Sequence, residues 1–274
     1  MARAWVFNID AEFELEGRTP DARTRRRTEL LVIGLAQTLP EGDFAVGVDD
    51  RCTPGLEGVA WCPTPRALER LRAAGARVPE APPLAVLRTV NDRRFAHHLV
   101  PLPGAHLVRG FDEAEEAMRR PGRWRLRRGL GFAGRGVRRV EGSAVSPDDL
   151  AYARASLRRG TLLVEPDLEV GFDVALHGHT DGRIGIETVQ EVDRFGQWAA
   201  SRAARPYELT ASERGVLRET LVWVREALLG AGYQGPFGID GFRYCDGQGR
   251  GRFHPLSDLN ARFTMGWPVG MGGW

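Results

Sequence analysis

Between Gly235 and Gly266 two extended runs, PFGIDGFRY and HPLSDLNARFTMG, flank a glycine-rich turn, CDGQGRG, and both runs carry acids in their interior. If Phe237 to Tyr244 is a strand, Asp240 lies at its middle, where a carboxylate is costly unless paired or coordinated. Residues two apart in an extended chain face the same way, so Asp258 and Asn260 project together. Asp240, one antiparallel neighbour away, completes an oxygen set suited to magnesium, which takes one or two carboxylates plus substrate phosphates. Arg262 shares that face while the strand lasts and can clamp a phosphoryl oxygen. The same spacing also fits a capped turn, in which the Asp and Asn side chains satisfy local backbone groups.

The rest of the chain reads in two styles. Up to residue 88 strand and helix alternate: a strand over Ala4 to Ile9, the acidic DAEFELE, a helix over Asp21 to Leu39, a strand over Phe44 to Val48 and a third over Val59 to Cys62. A helix follows from Thr64-Pro65 to Ala74, with Thr64 as cap and Pro65 at its first position. This is a small α/β unit with a parallel sheet, and Pro79, Pro82 and Pro83 mark a linker after it. Beyond it the pattern predicts helices over Asn91 to Val100, Asp112 to Arg119, Ser146 to Arg158 and Ser212 to Gly230. Strands are expected over Arg123 to Arg128 and Gly136 to Val140, joined by the glycine-rich GLGFAGRG. Another is expected over Thr161 to Val164, then a hairpin of Gly171 to His177 with Gly182 to Val189 across His-Thr-Asp-Gly.

This order of features resembles the ATP-grasp superfamily of carboxylate–amine ligases, whose hallmark is a strand aspartate followed by an acid-x-Asn-x-Arg strand. Asp240 and Asp258-Leu259-Asn260-Ala261-Arg262 match that pattern, with aspartate where the family usually has glutamate. The resemblance implies a small α/β pre-ATP-grasp unit over residues 1–88 and an α+β ATP-grasp domain over 89–274. The latter would divide into subdomains at 89–160 and 161–274, with antiparallel sheets gripping ATP. It implies Asp240, Asp258 and Asn260 as ligands of Mg2+, and Arg262 as the catalytic contact to the phosphoryl or acyl-phosphate group. GLGFAGRG, with Gly131 and Gly134, would close over the triphosphate. TLLVEPDLEVGFDVAL would read adenine through the backbone from Glu165 to Leu168 and the ribose through Asp173, with Glu169 the alternative. Two lysines of the family fall at Arg94 and Arg127, and Gly238 stands near a family arginine. The implied reaction joins a small-molecule carboxylate to an amine through an acyl phosphate, with amino acids or peptides among the candidate substrates and a homodimer compatible with the pattern. An ATP-grasp fold serving as a binding or scaffold protein, and an ATP-dependent phosphotransferase, are the alternatives.

Composition enters at those two lysine positions, because none of the 38 basic side chains is lysine. Every task of an ammonium therefore falls to a guanidinium, whose planar fork differs in reach. A formal net charge of only +2 gives no overall case for nucleic acid or an anionic membrane. The arginines around RWRLR alternate with Trp124 and Leu126, as in an amphipathic strand rather than a stacking platform for single strands. His177-Gly178-His179-Thr180-Asp181 reads as a surface turn. Three cysteines without metal spacing, and no apolar run long enough for a bilayer, point to a cytoplasmic protein.

Overall fold

A computed structural model describes residues 2–48, 54–131, 137–192 and 198–274. Three sheets organise them. The first is parallel, in the order β2-β1-β3, with β1 (Arg3–Val6) between β2 (Phe44–Ala45) and β3 (Glu57–Ala60). Helices α1 (Ala11–Leu15), α2 (Ala22–Ala36) and α3 (Pro65–Ala73) accompany it. The expected strand over Phe44 to Val48 is thus reduced to two residues, and α2 ends three residues early.

The helix expected over Asn91 to Val100 is α5 (Arg93–Leu99), and an unexpected helix, α4 (Leu84–Val90), precedes it across a break. Asp92 causes the break: its extended backbone is an N-cap, and its carboxylate accepts the Arg94 backbone N–H at 2.9 Å. Then come β4 (His106–Val108), α6 (Phe111–Arg119), β5 (Arg123–Arg128), β6 (Val137–Glu141), α7 (Pro147–Leu157) and β7 (Leu162–Pro166). These strands form an antiparallel sheet in the order β4-β7-β5-β6. Helices α6 and α7 seal one of its faces with a core of Met118, Trp124, Leu126 and Leu162.

The third sheet runs β10-β9-β8-β11-β12, built from β8 (Val170–His179), β9 (Thr188–Val192), β10 (Trp198–Ala203), β11 (Pro236–Cys245) and β12 (Gly251–Asn260). Helix α8 (Ala211–Gly230) buries Leu217, Leu221, Val224 and Leu228 in the largest core. The expected hairpin turns across His179-Thr180-Asp181-Gly182, the His179 N–H donating to the Arg183 carbonyl at 2.9 Å, but the place of His177 needs correction. Strand β8 extends to His179 and pairs with β9 only at Val174 and Ala175, while His177 is buried rather than in a surface turn. Burial pushes its pKa down to about 4.

The short helix α9 (Trp267–Met271) follows β12. Around it Trp5 and Phe7 of the first unit pack with Phe263 and Trp274, ring centroids lying 5.3 to 5.6 Å apart. One core therefore joins the parallel unit to the third sheet. Among the described residues no helix is long and apolar enough to cross a membrane.

Candidate active site

Strands β11 and β12 pair antiparallel with Asp240 opposite Asp258 and Gly238 opposite Asn260. The register slips between Asp240 and Phe242, so a bulge sits beside the acid, a feature common next to active sites. The two carboxylates and the Asn260 amide thus share one patch of the sheet. Asp240 accepts hydrogen bonds from Gln190 Nε2 at 2.6 Å and Asn260 Nδ2 at 3.2 Å. Burial first, then repulsion from Asp258 and Asp173, pushes its carboxyl up to about 7. A cation between Asp240 and Asp258 would relieve that repulsion, which is the fit a magnesium ion requires. Among the described residues no group of three or more His, Cys, Asp or Glu side chains gathers to hold a metal, here or elsewhere, so a metal at this patch would rest on two carboxylates and the Asn260 amide.

Facing the acids is a cluster of guanidinium groups on the small antiparallel sheet and on α5. Arg93 and Arg127 each donate to Asp258 Oδ2 at 3.2 Å. Although burial opposes ionisation, Arg93, Arg127 and Arg262 hold the Asp258 carboxyl below its ordinary value. Arg127 also donates to the Ser257 carbonyl at 3.0 Å and to Glu165, which in turn accepts from Arg125. The Nε atoms of Arg93 and Arg125 are buried without a hydrogen-bond partner, so the cluster keeps unsatisfied donors aimed inward.

The residues expected from the sequence distribute unevenly. Asp240, Asp258, Asn260, Arg127 and Glu165 come together. The basic residue on α5 that reaches Asp258 is Arg93; Arg94 is exposed and pairs with Asp92 at 2.8 Å instead. Helical geometry separates the two, since adjacent positions point about 100° apart. Strand β12 ends at Asn260, two residues before Arg262. The Arg262 guanidinium donates to Asn91 Oδ1 at 2.9 Å and to Glu12 of α1. Arg262 is thereby a link to the first unit, and it still lowers the Asp258 and Asp240 carboxyls electrostatically.

Leu168 follows β7 in irregular chain, its N–H donating to the Pro166 carbonyl at 3.1 Å. Asp173 lies on β8 opposite Phe242 and is exposed. Gly131 lies just beyond the end of β5, and Gly134 lies outside the described residues. A Cβ at Gly238 would stand 3.1 Å from the Thr264 methyl and 3.2 Å from the His177 ring, so a larger residue there would require both side chains to shift.

Four contributors were missed from the sequence: Glu12, Asn91, Arg93 and Gln190. The Asn91-Asp92 pair ahead of a helix was a readable cap signal that would have favoured Arg93. Glu12 gave none, because its partner stands 250 residues away.

No family model matches this chain, and no curated protein matches it by sequence. Solved structures do match over its whole length. D-cycloserine synthetase DcsG superposes with a TM-score of 0.56 at 13% identity, covering 100% of this chain and 96% of that one. D-alanyl-alanine synthetase A from Vibrio cholerae gives 0.55 at 12% identity, covering 99% and 91%. VanG D-Ala:D-Ser ligase from Enterococcus faecalis gives 0.54 at 14% identity, covering 99% and 94%. With two antiparallel sheets meeting at the acid pair behind a small parallel unit, the chain has the ATP-grasp fold.

Proposed function

We propose that this chain is an ATP-dependent ligase that joins a carboxylate to an amine, with amino-acid-like substrates. The observation that carries the reading is the facing of two groups: Asp240 and Asp258, in register on neighbouring strands, against Arg93 and Arg127 on the opposite wall. Asp240, Asp258 and Asn260 are the proposed magnesium ligands; the metal would neutralise phosphate oxygens and hold them in line for transfer.

The protein's own part is positioning. Arg93 and Arg127 stand where the phosphates would lie, and each guanidinium offers several fixed donors for bidentate oxyanion contacts. The backbone from Glu165 to Leu168 is proposed for the adenine edge, Asp173 for the ribose, and Gly131 for the loop over the phosphates. The names of the structural neighbours, which include synthetases and ligases of alanine derivatives, support the substrate class.

A second reading is a binding protein that holds nucleotide without turnover. It is favoured by the guanidiniums already engaged on Asp258 and Glu165, which must exchange partners before they can serve a phosphate. Measuring ADP release across a panel of carboxylates and amines separates the readings. A ligase releases ADP only when both substrates are present. Release with the carboxylate alone identifies a phosphotransferase, and nucleotide binding without release identifies the binding protein. Absence of both binding and release refutes the nucleotide site itself.

A further inference from the structure

Strand β5 presents alternate side chains to opposite faces, so Arg127 and its neighbour Arg128 serve different sites. Arg127 faces Asp258. Arg128 turns away, donating to Ser156 Oγ of α7 at 3.0 Å and lying over the Tyr152 ring at 4.7 Å. On that far side is a cavity of about 340 Å3, between the end of α1, the α4–α5 break, the exit of β5 and the entry to β7.

Four guanidiniums line it: Arg88, Arg94, Arg128 and Arg159. Among the described residues only Arg94 has an acid partner there, Asp92; the other lining acid, Glu16, is taken by Arg18 at 2.6 Å. Arg88 donates to the Leu15 carbonyl at 2.7 Å. Arg159 has no ion pair among the described residues, and burial together with Arg18 and Arg128 lowers its pKa. Thr161 Oγ1, also in the lining, is buried with no hydrogen-bond partner. Cations brought together without matching acids, beside an unused hydroxyl, define an electrostatic site that an oxyanion fills.

We propose that this cavity is a second binding site, separate from the nucleotide cleft, for a compact polyanion: a phosphate ester or a polycarboxylate. Its volume suits a small metabolite. The site also touches the cleft mechanically. Arg93, one residue from both Asp92 and Arg94, donates its backbone N–H to the Gly129 carbonyl at 2.9 Å, and its side chain holds Asp258. A Cβ at Gly129 would come within 2.6 Å of the Asp92 carboxylate, so this junction is tightly packed. Occupancy of the cavity therefore bears on the segment from which the glycine-rich loop departs.

The test is calorimetry of the full chain with pyrophosphate and with citrate, each in EDTA so that metal-dependent binding at Asp240 and Asp258 makes no contribution. One site is expected for at least one probe, the better probe telling phosphate ester from polycarboxylate. Arg159→Gln and Arg128→Gln should each weaken it about tenfold, the scale of one charge-assisted hydrogen bond. Asp240→Asn should leave it unchanged. Arg159 is exposed, so Arg159→Gln is expected to fold as the parent does, which a thermal melt verifies. No heat with either probe at millimolar concentration overturns the proposal. So does equal affinity in Arg159→Gln, or a loss that follows Asp240→Asn instead. None of these three results refutes the nucleotide reading, which rests on the other face of β5.

Discussion

Asp240 and Asp258 are neighbours on one sheet with opposite electrostatics, because among the described residues guanidiniums hydrogen-bond only Asp258, whereas Asp240 is dominated by burial and repulsion. Asp240 titrates near 7, so its ionisation opposes folding: its contribution to stability is full below its ordinary value of 3.8 and is lost as pH rises through about 7. A metal must displace that same proton. Magnesium affinity should therefore rise about tenfold per unit below pH 7 and level off above it. Titration calorimetry across that range reads the slope, and Asp240→Asn should flatten it; a flat profile in the parent protein would remove Asp240 from the metal set. The two arginines of α5 allow a sharper contrast. Arg93 is buried on Asp258, whereas Arg94 is exposed on Asp92. Losing one partner of a buried pair costs about 3 kcal/mol or more, while an exposed pair is worth roughly 1 kcal/mol or less. Denaturant melts should show Arg93→Ala strongly destabilised and Arg94→Ala nearly neutral, and equal losses would contradict the assignment.

Element by element, legibility in the sequence followed how local the stabilising interaction is. Helix α8 was readable from its amphipathic pattern, and its start is fixed locally: Glu213 N–H donates to Thr210 Oγ1 at 3.2 Å, and Thr210 N–H donates to Glu213 at 2.8 Å. The C-terminal strand pair was readable because alternation and a glycine turn specify it. Strand β4 has three residues and strand β10 has small residues in place of an alternating apolar face, so neither carries a period. Helix α1 was hidden differently. Its acids read as a solvated stretch, yet Glu12 is buried because Arg262 meets it from the far end of the chain. Glu213 also carries the element-scale prediction. Arg243 and its capping role pull its carboxyl down to about 2, so its stabilisation is present above its ordinary 4.5 and is lost as pH falls through about 2. Glu213→Ala should cost roughly 1–2 kcal/mol at neutral pH, the cap and a partly exposed ion pair together. That deficit relative to the parent should vanish in acid, and a deficit independent of pH would assign it to packing alone.

At the scale of the whole molecule, the candidate cleft depends on how the parallel unit is fixed to the third sheet. Two independent connections do this. One is polar: Asn91 accepts from the Ala261 N–H at 3.0 Å and from Arg262 at 2.9 Å, while Arg262 also reaches Glu12. The other is aromatic, with Phe263 set edge-on to Trp5 at 5.3 Å and its backbone N–H donating to the Trp61 carbonyl at 3.0 Å. Residues 261–263, just past the acid-x-Asn motif, thus bind three separate parts of the chain. Arg262 thus ties Asn91 and Glu12 together while its charge also lowers the Asp258 and Asp240 carboxyls. Shared burial of this kind couples unfolding, so the parallel unit and the third sheet should melt in one calorimetric transition. Phe263→Ala keeps the polar connection and removes part of the aromatic one. It should cost about 2 kcal/mol, below the usual range for a fully buried phenylalanine. If the aromatic seam is what couples the two parts, the variant's transition should broaden so that the van't Hoff enthalpy falls below the calorimetric enthalpy. A sharp, merely shifted transition would place the coupling in the Glu12–Arg262–Asn91 connection instead, and the same measurement on Glu12→Gln would then have to show the broadening.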